Sequence, residues 1–308
     1  MIMANELLIS QMSNDFMLPE KKLKKLILSA PYRYKVYSIP KRSGKGYRVI
    51  AQPAKEVKIL QYWIVRNVLC KFVVHDAARA YVKGCGLLSN VSPHCYSKYL
   101  MKLDFKDFFY SIKAGDFLSY FSLYKDFGYS DMDIQEMVKI LFYARNKGDY
   151  CLSIGAPSSP LLSNIIMSDF DKRVVEFCSS RSIVYTRYSD DMTFSMSDSL
   201  LRREVFFEIK RLLDIIPYPR LKLNEDKTLF LSKANKRMVT GLVLSNDGRI
   251  SIGHDKKRML RSKIYKYTKG HLDVDEVNQL KGMLAYVNSV EPDFICKMKI
   301  RYGDLIIF

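Results

Sequence analysis

Apolar residues recur along the chain at two periods, and the switches between them mark its elements. Lys21 to Ala30 carries a helical pattern, and Tyr32 to Ile39 alternates as a half-buried strand does. Pro40, Lys41, Arg42, Ser43, Gly44, Lys45 and Gly46 then lead into a second alternating run, Tyr47 to Ala51, which predicts a basic β-hairpin. Pro53 is expected to open a helix, with Val57, Leu60, Ile64, Val68 and Phe72 at helical spacing. Tyr99 to Phe105 reads as a buried strand with Asp104 at its end. After Gly155-Ala156-Pro157-Ser158, Ser159 is placed to cap a helix with Pro160 in its first turn and Leu162, Ile166, Phe170, Val174 and Phe177 on one face.

Ile183 to Tyr188 and Met192 to Met196 are short strands separated by Ser189-Asp190-Asp191, which predicts a hairpin with acids at its tip. Asp198 or Ser199 can cap the next helix, whose inward residues are Val205, Ile209, Leu212, Leu213 and Ile216, and Pro217 and Pro219 end it. Strands are expected at Thr228 to Ser232, Arg237 to Leu244 and Arg249 to Ile252, the last two joined by the turn Asn246-Asp247-Gly248. From His254 onward the pattern is helical. Lys256 to Lys269 surrounds a stripe of Leu260, Ile264 and Tyr267 with basic residues, and a second helix spans about Asp273 to Val290.

Composition narrows the class. In 308 residues, 50 Lys and Arg against 32 Asp and Glu leave a formal charge of +18, and 48% of residues are hydrophobic. Such a chain can build a large core, and disorder is excluded. The surplus charge has to be solvated or meet a polyanion; nucleic acid is the usual partner, and a basic surface that keeps the protein soluble is the alternative. No apolar run reaches the roughly 18 residues that a membrane span requires, and Met1 to Ser10 lacks the basic start of an export signal. These features predict a cytoplasmic protein without a membrane partner. Cys70, Cys85, Cys95, Cys151, Cys178 and Cys296 form no CxxC or zinc pattern and read as core thiols.

The informative chemistry is a pair of acidic strand ends far apart in the chain, Leu103-Asp104-Phe105-Lys106-Asp107-Phe108-Phe109 and Tyr188-Ser189-Asp190-Asp191. An Asp-Asp at a turn is by itself ordinary turn chemistry. Two adjacent strands that each end in a carboxylate, however, can hold two divalent cations roughly 4 Å apart, because Mg²⁺ prefers oxygen ligands and takes few from protein. Phosphoryl or nucleotidyl transfer is the natural reaction of such a site.

With these segments in order, the chain resembles reverse transcriptases from about residue 30 to 300. Asp104, Gly155 to Pro160 and Tyr188 to Asp191 match that family's palm motifs. The resemblance narrows to retron-type enzymes through Asn90-Val91-Ser92-Pro93-His94, before the first catalytic strand, and Val239-Thr240-Gly241 after the palm. It implies an α+β right-hand polymerase fold: fingers with N-terminal helices over 1–98, a palm with an antiparallel sheet and interleaved fingers helices over 99–245, and a helical thumb over 246–308.

The same resemblance implies roles. Asp104, Asp190 and Asp191 would be catalytic and, with Phe105 beside Asp104, would form the metal set for two Mg²⁺. Lys227 would protonate the leaving pyrophosphate. Arg42 and Arg48 would hold the triphosphate of the incoming deoxynucleotide, and Gly155 would lie against it. Phe109 would exclude a ribose 2′-hydroxyl by its volume, the alternative being a core Phe beside Phe105 and Phe108. Asn90 and His94 would recognise RNA, although a satisfied structural histidine explains His94 equally. Val239, Thr240 and Gly241 would begin the primer grip, with a strand bulge as the plain alternative. Lys256, Lys257 and Arg261 would grip an RNA stem. Three positions depart from the family: Ile154 replaces the usual Gln, Ser189 replaces Ala, and Val91 stands where Ala is frequent.

The expected function is an RNA-directed DNA polymerase that copies a cognate structured noncoding RNA, self-primed from a guanosine 2′-hydroxyl. Its product would be branched RNA-DNA (msDNA), made within an antiphage defence system that includes a separate effector protein. The rivals are a group II intron-like or other bacterial reverse transcriptase, and a catalytically silent RNA-binding subunit.

Overall fold

The computed structural model describes residues 7–41, 44, 46–123 and 128–303, so Arg42 and Lys45 of the basic turn lie outside the described residues. Helices α1 (Leu7–Phe16) and α2 (Glu20–Ser29) precede an antiparallel hairpin of β1 (Tyr34–Pro40) and β2 (Tyr47–Pro53). Pro53 pairs with Tyr34 and so ends the strand; helix α3 (Lys55–Asn67) begins only after it. Val68 caps the end of α3, and a single 3₁₀ turn, Leu69–Lys71, rather than a continued helix, carries the chain to Phe72.

Helix α4 (Leu87–Val91) and the turn Ser92–His94 lead into β3 (Tyr99–Asp104), followed by α5 (Phe108–Ser111), α6 (Ala114–Ser122) and α7 (Asp131–Leu141). α7 packs back on the N-terminal helices, and its Asp133 accepts a hydrogen bond from the Leu8 amide at 2.9 Å. A small hairpin, β4 (Tyr143–Asn146) with β5 (Asp149–Cys151), was not visible in the sequence pattern. The helix expected after Pro160 is two, α8 (Ser159–Ile166) and α9 (Ser168–Ser179), parted at Met167. Ser158, not Ser159, occupies the cap position, while the Ser159 hydroxyl accepts from the Ser153 amide.

The central sheet adds β6 (Val184–Tyr188), β7 (Asp191–Met196) and, after α10 (Leu201–Ile215), β8 (Leu229–Ser232). Its order is β6-β7-β3-β8, all antiparallel. Alternation assigns the two faces. Met101, Leu103, Met192, Phe194 and Tyr185 enter the main core with Phe170, Val174, Val205 and Ile209 of α9 and α10. Leu100, on the opposite face, joins a second core with Val91, Cys95 and the C-terminal helices.

The predicted strand from Arg237 to Leu244 is a hairpin, β9 (Arg237–Val239) and β10 (Leu242–Leu244), to which β11 (Ile250–Ser251) adds. Thr240 and Gly241 turn it with φ of 45° and 82°, the left-handed pair that a tight hairpin requires. Helices α11 (His254–Thr268), α12 (Val274–Val290) and α13 (Pro292–Tyr302) complete the chain, and Leu260, Ile264, Leu280 and Phe294 share the second core with Val239 and Leu242. Among the described residues, no helix is long and apolar enough to cross a membrane. Cys95, Cys151 and Cys178 are buried, but Cys70 and Cys296 are exposed and are not core thiols.

Candidate active site

The antiparallel register sets Asp104 directly opposite Asp191. Tyr188 pairs with Asp191 across the neighbouring ladder, so the loop between β6 and β7 is only Ser189 and Asp190, one residue shorter than the pattern suggests. The Phe105 amide donates to the Asp190 carbonyl at 3.2 Å, which ties the end of β3 to that turn. Asp104 and the adjacent pair Asp190 and Asp191, distant from it in sequence, are therefore collected at one end of the central strands.

Their electrostatics follow from this crowding. Burial and the charge of Asp104 raise the Asp190 carboxyl above its ordinary range, and Arg48 of the β1–β2 hairpin opposes the rise. Burial pushes Asp191 to about 6; Lys102, two residues before Asp104 on the same face of β3, and Lys227 work against it, while Asp190 and Asp104 reinforce it. Asp104 is 6% exposed and receives the Lys227 ammonium at 3.0 Å on each oxygen, with Asn224 Nδ2 donating at 3.3 Å. Residues 222–224 run beside 104–106, the Lys106 amide donating to Lys222 and the Asn224 amide to Asp104, and this pairing delivers Lys227. A cavity of about 320 Å³ opens here, lined in part by Lys102, Asp104, Asp191, Asp226 and Lys227.

The donor set suits divalent cations. The acids are all oxygen donors, burial and the neighbouring carboxylates hold two of them above their normal pKa, and a lysine ammonium already sits on the third. Among the described residues no three His, Cys, Asp or Glu side chains are preassembled as a cage.

Around the acids, Phe109 is half-buried between buried Phe108 and Tyr110, its ring edge-on to Phe108 at 5.3 Å. Arg48 is exposed on β2, opposite Ile39. The hairpin is anchored by the Tyr110 hydroxyl on the Val49 carbonyl at 3.0 Å and by the Ala51 amide on the Ile154 carbonyl at 3.0 Å. Gly155 has φ of 118°, and a Cβ there would meet the Ala51 carbonyl and the Ile50 side chain at 3.2 Å. Its glycine character is thus explained by the approach of β2, whatever else it touches.

The residues expected to meet nucleic acid lie in different settings. Asn90 and His94 are 1% and 0% exposed and brace the sheet. His94 Nε2 lies 2.8 Å from the Thr186 hydroxyl and Nδ1 2.8 Å from the Ser195 hydroxyl, one ring nitrogen donating and the other accepting, and Thr186 Oγ1 lies 2.8 Å from Asn90 Oδ1. Burial lowers His94 to about 4, which keeps the ring neutral. The Val239 side chain belongs to the second core. Lys257 is committed to an ion pair with Glu291, and Arg261 lies 5.4 Å from the Phe294 ring centroid. Lys256 is exposed and reaches the Gly241 carbonyl at 3.3 Å, so the hairpin tip and the basic helix form one surface.

Sequence reading missed Lys102, Asn224 and a buried ion pair between Arg187 and Asp171. The signal for the last was a base on β6 and an acid on α9 at positions where the pattern calls for apolar residues.

Comparison with known proteins agrees with this geometry. The family model for reverse transcriptase (RNA-dependent DNA polymerase) matches residues 39–258. The retron Ec83 reverse transcriptase of Escherichia coli is 38% identical over 282 residues, covering 89% of this chain and 88% of that protein. The retron Ec86 enzyme of the same species is 32% identical, covering 96% and 90%. Among solved structures, apo telomerase from Candida tropicalis superimposes with a TM-score of 0.51 at 14% identity, covering 80% of this chain and 51% of that one, a likeness of fold. The chain belongs to the reverse transcriptase family, as an RNA-directed DNA polymerase of the retron type with the right-hand polymerase fold.

Proposed function

We propose that this polymerase reverse transcribes a cognate structured noncoding RNA, starting from a guanosine 2′-hydroxyl within that RNA, and leaves a branched RNA-DNA product. The single observation that carries the catalytic part is the register pairing of Asp104 with Asp191, with Asp190 in the turn between. The retron part rests on similarity to the two Escherichia coli retron enzymes. A role in antiphage defence, with an effector protein encoded nearby and the enzyme in the cytoplasm, follows from the same resemblance.

In this reading Asp104, Asp190 and Asp191, with the Phe105 backbone beside them, hold two Mg²⁺ ions. When bound, those ions lower the pKa of the attacking hydroxyl and neutralise charge on the pyrophosphate. Arg48, fixed on a strand that is pinned to the palm, orients the triphosphate, and Gly155 lets β2 approach closely enough for that reach. The Phe109 edge fills the volume that a 2′-hydroxyl of the incoming nucleotide would need. Lys227, whose ammonium stands on Asp104, would turn its proton toward the leaving pyrophosphate. Thr240, Gly241, Lys256 and Arg261 lie on the hairpin and thumb helix that face the primer and RNA stem, where phosphate contacts are independent of sequence. Fingers, palm and thumb divide at 1–98, 99–245 and 246–308 in this account, with Val239 and Leu260 packed in one core across the palm–thumb division.

The test is to express the chain with its flanking DNA and sequence the nucleic acid that copurifies. DNA joined to RNA through a 2′,5′ linkage is the expected product. Linear DNA extended only from a 3′-hydroxyl would replace this reading with that of a group II intron-like or other bacterial reverse transcriptase.

A further inference from the structure

Behind the catalytic turn lies a buried ion pair that the polymerase chemistry does not consume. Arg187 on β6 and Asp171 on α9 are both 0% exposed. Nε donates to Asp171 Oδ1 at 2.9 Å and Nη2 to Oδ2 at 2.6 Å, a two-point fork. Asp171 Oδ1 also accepts from the Tyr185 hydroxyl at 2.8 Å. The remaining nitrogen, Nη1, donates to Asn164 Oδ1 at 3.1 Å and to the Ser189 carbonyl at 3.0 Å. Asn164 is itself fixed by its Nδ2 on the Ala80 carbonyl at 2.8 Å.

The recipient of that last bond stands out. Ser189 has φ of 61°, at the first position of a two-residue turn where glycine is the usual choice. A side chain in this region is strained, and such a conformation persists only when its surroundings over-determine it. The guanidinium is held in plane by Asp171 and Asn164, and it presents its last donor to the strained residue from a rigid frame of two helices. Asp190 and Asp191 follow immediately.

We propose that Arg187 is the positioning residue of the catalytic turn: by fixing the Ser189 carbonyl, it sets the directions in which the Asp190 and Asp191 carboxylates face their cations. This rests on the reading that those carboxylates bind metal. Lysine could keep the charge but not the plane: its three donors radiate from a single nitrogen and cannot form the two-point fork on Asp171 while also reaching Asn164 and Ser189.

Three variants are compared with the wild-type protein for thermal midpoint, RNA affinity, Mn²⁺ affinity without nucleotide, and kcat and KM for a deoxynucleotide. The first is the apolar triple Arg187→Met, Asp171→Leu, Tyr185→Phe, a replacement of a buried pair that is often neutral or stabilising. It is expected to melt at or above the wild-type midpoint and bind RNA normally. Its Mn²⁺ affinity and kcat should each fall about 10- to 100-fold, with KM changed by no more than about twofold. The second, Arg187→Lys, should show the same losses and decides the matter if the triple variant does not fold. A folded variant of either kind with wild-type Mn²⁺ affinity and kcat overturns the proposal. If neither folds, the pair is a stability element and the proposal also fails. The third, Asp190→Asn, separates the two levels: unchanged Mn²⁺ affinity there refutes metal binding by the turn itself, whatever Arg187 does.

Discussion

Lys227 donates to both oxygens of Asp104, and the backbone pairing of 222–224 with 104–106 brings the two residues together. The lysine thus occupies one carboxylate that a cation would take, and is half out in solvent at 57% side-chain exposure. Asp104 is buried, but the ammonium end is solvated and screened, so the pair contributes about 1 kcal/mol and can be displaced without a large penalty.

Lys227→Ala should therefore strengthen divalent-cation binding in the absence of nucleotide by no more than about fivefold, the equivalent of that ~1 kcal/mol. It should lower kcat, because the proton donor to pyrophosphate is gone. Calorimetric titration with Mn²⁺ and single-nucleotide incorporation rates check the two halves separately.

The acid crowding makes a pH prediction. Burial raises Asp190, and raises Asp191 to about 6, above the ordinary carboxylate range. The folded protein therefore binds protons more tightly than the unfolded chain between about pH 4 and 6, and these two groups reduce stability as pH rises through that window. A bound cation removes the penalty. The increase in melting temperature on adding Mg²⁺ should be larger at pH 7.5 than at pH 5, and Mn²⁺ affinity should fall as pH drops through about 6.

His94 has the opposite sign. Its pKa is lowered by burial to about 4, so the neutral ring stabilises the fold above the ordinary histidine range, and that contribution is lost as pH falls from about 6.5 toward 4. His94→Gln should lower the melting temperature at pH 7.5, and the gap to wild type should narrow at pH 4.5. RNA affinity of the folded variant should be unchanged, because the ring contacts Thr186 and Ser195 and no solvent-facing surface.

Phe109 is half-buried, while its neighbours Phe108 and Tyr110 are fully inside, so its ring edge is the part of this segment left to meet a sugar. Phe109→Ala should raise incorporation of ribonucleotides relative to deoxynucleotides by roughly 10- to 100-fold, the range in which a pocket discriminates by one hydroxyl. Competition assays with paired triphosphates measure it, and unchanged sugar selectivity would remove Phe109 from the site.

The sheet and its acids were legible because β3, β6 and β7 combine period-two patterning with polar ends. Asp104 and Asp190 terminate apolar runs, and a family order connects them. Other features were hidden for physical reasons. Arg237 to Leu244 reads as one strand because Thr240 at positive φ is an unusual turn residue, and only Gly241 hinted at reversal. The break at Met167 leaves helical spacing intact on both sides. Asn90 and His94 carry polar side chains whose partners, Thr186 and Ser195, lie on distant strands, so no local pattern distinguishes a brace from a binding surface. Arg187 was concealed in the same way, its counter-charge sixteen residues earlier on another element.

The most direct test of the shared metal site is RNA-templated incorporation of labelled deoxynucleotide by Asp104→Asn and Asp190→Asn, with RNA affinity and melting temperature measured on the same preparations. Both variants are expected to fold and bind RNA while incorporation falls by at least about 10³-fold, the scale on which a positioned electrostatic group contributes to catalysis. Synthesis at the wild-type rate by either variant would contradict the assignment of Asp104, Asp190 and Asp191 to one catalytic centre.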